Sequence, residues 1–113
     1  MSDKGATGLF GRGDGNRLPP NDSQLAHIFD DRPGHLPDTP RNRQLLLDLV
    51  NDRDNFRGVD IYGNDWYIEI DSQGRQLWGQ TRDGIIQEGG RNDTPLDWDD
   101  RTGLNRNPFG KRR

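Results

Sequence analysis

Apolar residues in this chain follow two periods in succession. Leu25, Ile28 and Phe29 stand at i, i+3, i+4 behind Asp22-Ser23, a pair able to cap a helix, and Asp30-Asp31-Arg32-Pro33-Gly34 ends that run. Thr39-Pro40 starts a longer one, because threonine caps and proline fits the first helical position. In the RNRQLLLDLVND that follows, Leu45, Leu46, Leu49 and Val50 form one apolar stripe, and Asn55 and Gly58 supply the exit. From Asp60 the period shortens to two. DWYIEID sets Trp66, Ile68 and Ile70 against Tyr67, Glu69 and Asp71, which predicts a strand whose one buried face carries the first set. Ser72-Gln73-Gly74 turns the chain into RQLWGQT, and Asp83-Gly84 is a two-residue hairpin signal before IIQEGG. The expected fold class is α+β: two N-terminal helices packed on a three- to four-stranded antiparallel β-meander, with flexible termini.

Composition sets the limits of this domain. Only 27% of the 113 residues are hydrophobic, against 31% charged, with 15 Gly and 7 Pro, so the apolar residues cannot fill a core over the whole length. Residues 1–22, rich in Gly, Pro and Asp, read as a flexible lead-in, residues 23–100 as the folded domain, and residues 101–113 as a basic flexible tail. The Arg12-Gly13-Asp14 triplet resembles an adhesion motif, but a three-residue match in a Gly-rich stretch carries little information.

Charge and cysteine content narrow the chemistry. The net charge of −3 hides an uneven distribution: Ser23 to Trp98 holds eight arginines and fourteen acids, a balance of −6, whereas the segment from Arg101 onward is +5. Any phosphate-binding surface must therefore be local. The lack of cysteine removes disulfides, thiolate nucleophiles and Cys-based zinc sites. No apolar run approaches a membrane span, and the N-terminus lacks the apolar stretch of a signal peptide, so export would need a carrier.

The only two histidines, His27 and His35, fall in LAHIFDDRPGH, on either side of a chain-reversing turn. Two imidazoles facing one cleft can serve as base and acid, the pair that RNA cleavage requires to deprotonate the 2′-OH and protonate the departing 5′-oxygen. The plain alternative is a polar residue on a short helix and another in a glycine turn. Cations and donors for a scissile phosphate are available in Arg82 at the end of LWGQT, and in Arg41, Asn42 and Arg43 at a helix N-terminus. Asn92 and Thr94 in GGRNDTP add further donors. Trp78 and Tyr67 are candidates to stack bases, with Trp66 better suited to the core. A metal site built from the histidines with Asp30, Asp31 or Asp38 matches no zinc signature, and the glycine-rich stretches lack the context of a P-loop.

Taken in order, LAHIFDDRPGHLPDTPRNRQLL, GVDIYGNDWYIEI, GRQLWGQTRDGIIQEGGRNDTP and WDDRTGL resemble the C-terminal toxin domains of bacterial polymorphic toxins, of the Rhs, filamentous-haemagglutinin and contact-dependent inhibition types. The resemblance spans residues 25–104. It implies a metal-independent ribonuclease of the barnase, colicin D and RelE-like kind that needs no cofactor, with His27 and His35 as acid and base, Arg82 as phosphate clamp, and Asn92 and Thr94 at the substrate. It further implies RNA as target, with tRNA the expected class, delivery from a larger carrier into a target-cell cytoplasm, and a cognate immunity protein. A host protein activator is a possible further partner. An acidic core suits an inhibitor partner of complementary charge. Two other readings stand beside it: a non-catalytic acidic interaction module, immunity-like or adaptor, and a metal-dependent nuclease.

Overall fold

The computed structural model describes residues 13–105. Helix α1 spans Asp22–Ile28 and α2 spans Pro40–Val50, followed by a single 3-10 turn at Arg53–Asn55. Four antiparallel strands, β1 (Phe56–Val59), β2 (Asp65–Ile70), β3 (Gln76–Arg82) and β4 (Ile85–Asn92), then pair in chain order, and β5 (Asp97–Asp99) with β6 (Gly103–Asn105) forms a separate two-stranded sheet. The architecture is thus α+β, with the two helices preceding the sheet.

The helix ends follow side-chain chemistry. Thr39 accepts from the Asn42 amide and Pro40 opens α2, as the sequence requires. In α1 the cap is Asn21, one residue before the expected pair, and it accepts from the Gln24 amide at 2.8 Å. Leu46, Leu49 and Val50 of α2 join Leu25, Ile28 and Phe29 around Tyr67, Leu77 and Ile86, which makes one core between the helices and one face of the sheet. Glycines let the α2 side chains pack directly on the sheet backbone there. Gly79 and Gly89 are cross-strand partners, and a Cβ on either would stand within 3 Å of Val50 or Leu46 methyls.

The phase of β2 differs from expectation. Tyr67, not Trp66, faces the helices, and it is fully buried, so it cannot stack a base. Trp66 is buried on the opposite face, stacked on Trp78 at 5.7 Å and met edge-on by Trp98 of β5. The β5–β6 hairpin covers that face at Gly103, where a Cβ would collide with the Trp66 indole. Both faces of the strand are therefore covered at its start, while Ile70 at its far end is exposed. The expectation failed because it allowed one covered face only.

The lead-in also ends earlier than composition suggested. Asn16 is buried and donates through Nδ2 to the Val50 carbonyl, a free acceptor at the end of α2, and its amide donates to Asn51 Oδ1. Arg17 pairs with Ile85 as a short parallel bridge on β4. Residues 13–21 are thus part of the fold, residues 101–105 contribute β6, and the remaining lead-in and basic tail, with Arg12, lie outside the described residues.

Candidate functional site

A groove of about 340 Å³ opens on the sheet face opposite α2, with α1 on one side. His27 comes from α1, Glu88 from β4, Gln80 and Arg82 from β3, and Asn64 from the turn before β2. Register explains the convergence. Gln80 pairs with Trp66 on one side and Glu88 on the other, so these side chains share a face. A bulge at Gln80/Thr81 inserts Gln87 as an extra residue, and bulges of this kind re-aim neighbouring side chains.

At the floor, His27 Nε2 contacts Glu88 Oε2. The His27 side chain is 62% exposed and that of Glu88 24%. The other carboxylate oxygen, Oε1, is buried and accepts no hydrogen bond among the described residues. Arg82 lies at the open end, where Nη2 donates to Gln87 Oε1 at 3.3 Å, just before a turn in which Asp83 and Gly84 both have positive φ. An imidazole, a carboxylate and a guanidinium around one groove can exchange protons with a hydroxyl and neutralise a phosphate.

His35 does not join them as an acid or base. Its side chain is 4% exposed, its Nδ1–H donates to the Ile28 carbonyl at 3.0 Å, and its ring meets Trp78 edge-on. It stands 4.0 Å from Glu88 Oε1. The strap from Phe29 to Leu36 is tied down on the sheet as well: Gly34 O accepts from Trp78 Nε1 and from the Arg91 amide. Gly90 below it has no room for a side chain, since a Cβ there would come within 2.8 Å of His35 Cα. His35 thus holds the end of α1, and with it His27, over β4. Trp78 is buried by this strap and by Trp66, so it offers no open face for a base.

The other expected contacts lie elsewhere. Asn92 and Thr94 border a second depression of about 260 Å³ beside Pro33 and Gly34, and Asn92 Nδ2 donates to Gln76 Oε1. Arg43 forks onto Asp38 at 2.6 and 2.9 Å, a hydrogen-bonded pair that holds the Asp38 carboxyl below its ordinary value. Asn42 donates to the Pro37 carbonyl, and neither it nor Arg41 and Arg43 borders the groove.

Asp60 fixes the remaining wall. Burial by itself would push its carboxyl up, but donors from Trp66, Asn64 and Tyr62 outweigh this and hold it below the ordinary value. Asn64 thereby takes a set position at the groove.

Glu88 is not among the candidates that the sequence offers. A signal was present: of nineteen acids only Glu69 and Glu88 are glutamates, and Glu88 is the one charged residue of the IIQEGG segment. Among the described residues no three His, Asp or Glu side chains gather as a metal cage, and no helix is long and apolar enough to cross a membrane. No protein-family model, curated protein or solved structure matches the chain.

Proposed function

We propose that the chain is a metal-independent ribonuclease in which Glu88 is the base and His27 the acid. The contact between His27 and Glu88 in a groove that also holds Arg82 carries this reading. Glu88 takes the proton of a ribose 2′-OH, the oxygen attacks the adjacent phosphorus, and protonated His27 gives its proton to the departing 5′-oxygen. The products are a 2′,3′-cyclic phosphate and a free 5′-OH. Arg82 offsets the charge that builds on the phosphoryl oxygens. His27 and Glu88 are in contact, so a bound phosphate must part them, and the His27 side chain, more exposed than that of Glu88, is the one that can swing aside while α1 stays in place.

In this reading the domain is a toxin of interbacterial competition, delivered from a larger carrier into a target-cell cytoplasm, where it cuts RNA, with tRNA the expected class. A cognate immunity protein restrains it in the producing cell, and a host protein activator is a further candidate partner.

The test is incubation of the purified chain with total RNA in EDTA, beside Glu88→Gln and His27→Ala. The parent yields discrete fragments with cyclic phosphate ends, each variant loses about 10²–10⁴-fold in rate, and the parent's rate is bell-shaped in pH. Cleavage that survives Glu88→Gln, or that chelation abolishes, refutes the mechanism. The second reading, a non-catalytic interaction module, draws on Ile61 and Tyr62, 60% and 65% exposed on the turn before β2. It predicts intact RNA in every lane.

A further inference from the structure

Arg17 belongs to the segment that composition assigned to the lead-in, yet its backbone is stitched to the β3–β4 hairpin. Its amide donates to Gly84 O and its carbonyl accepts from the Ile86 amide, both at 2.9 Å. Ile85 is therefore paired with Arg82 on one side and with Arg17 on the other. Residues paired across strands project to the same face, so Arg17 shares the face on which Arg82 borders the groove. Two strand spacings set their backbones about 10 Å apart. The Arg17 guanidinium lies along the turn, with Nη1 3.9 Å from the position of a Cβ on Gly84.

Neither arginine has a carboxylate partner among the described residues, whereas Arg32, Arg43 and Arg75 are each held by an aspartate. Arg41, Arg53, Arg57, Arg91 and Arg101 also lack one, so what distinguishes Arg17 and Arg82 is their shared face beside the groove, in a described core, residues 13–105, of ten arginines and eighteen acids, a balance of −8. Such a core repels nucleic acid at long range, so attraction has to be concentrated where the backbone enters.

We infer that Arg17 and Arg82 form a rim that seats successive phosphodiesters of single-stranded RNA and leads the chain to the His27–Glu88 pair. The inference rests on the ribonuclease reading for its ligand. Arg82 meets the phosphate at the reacting end, and Arg17 meets the next one outward, beyond the turn. A groove of about 340 Å³ suits a nucleotide strand rather than a duplex.

Binding of a 2′-O-methyl RNA 12-mer, which lacks the attacking hydroxyl, isolates this step from cleavage. Fluorescence anisotropy over a range of salt concentrations gives the slope of log affinity against log salt. For single strands each lost phosphate contact reduces the slope by ~0.7. Arg17→Gln is expected to show that reduction and to bind about tenfold more weakly at low salt. Arg17→Lys, which keeps the charge, retains the slope. The backbone bonds of residue 17 do not depend on its side chain, so thermal unfolding of Arg17→Gln should match the parent. An unchanged slope in Arg17→Gln, or no binding by the parent, overturns the inference. A reduced slope in a protein that cuts no RNA would support the rim while refuting the ribonuclease reading.

Discussion

Asp60→Asn strikes the hub that shapes one wall of the groove. Asp60 Oδ1 accepts from the amides of Tyr62 and Asn64 at 2.9 and 3.0 Å, and Oδ2 accepts from Asn64 Nδ2 and the Trp66 indole at 3.1 and 2.8 Å. The residue is 7% exposed. An asparagine must turn its NH₂ toward one of these donor pairs, so two bonds are lost and buried donors face each other. Hydrogen bonds to a charged group contribute ~1.5–3 kcal/mol each, which puts the loss of two at about 3–6 kcal/mol. In a domain of this size Tm should fall by roughly 20 °C. The pH dependence has a definite sign. The folded-state carboxyl is held below its ordinary value, so its contribution is fully present above the ordinary carboxylate range and disappears as pH falls through the folded value. The gap between parent and variant should therefore narrow below about pH 4. Urea unfolding followed by circular dichroism and tryptophan fluorescence, at about pH 7 and about pH 2.5, measures both effects. A neutral-pH gap under ~1 kcal/mol, or one that does not shrink on acidification, would show that Asp60 is not the hub described here.

His35→Asn keeps an N–H donor near the Nδ1 position and should retain kcat, whereas His35→Leu should lose about a hundredfold in kcat with little change in KM, because His27 shifts; equal losses in both variants would make His35 a reacting group. Gly90→Ala should destabilise the protein and expose the Trp78 indole to a fluorescence quencher, since the new methyl has to displace the Gly34–His35 strap. Unaltered quenching would contradict that close contact. Thr39→Ala should cost about 1 kcal/mol in chemical unfolding through loss of the α2 cap. A change near zero would mean that solvent serves the Asn42 amide equally well.

Local signals determined much of the architecture. The Thr39-Pro40 start, the Leu46/Leu49/Val50 stripe and the Asp83-Gly84 hairpin all appear where the sequence puts them, because caps, proline and positive φ act within a few residues. His27 and Arg82 were also legible, as rare or strand-end polar residues, and both border the groove. Tertiary structure alone decided the rest. Whether Trp66 or Tyr67 faces the helices depends on the β5–β6 hairpin, which closes a second face some thirty residues later. His35 became a buried strut because the strap lies on Gly90, a contact no local pattern records. Glu88 reached His27 through strand register and a bulge, and Arg17 reached the groove face through a bridge to Ile85. Chain-local chemistry selects an element and its ends, but which side chains meet is set by which faces are covered and by the register of distant strands.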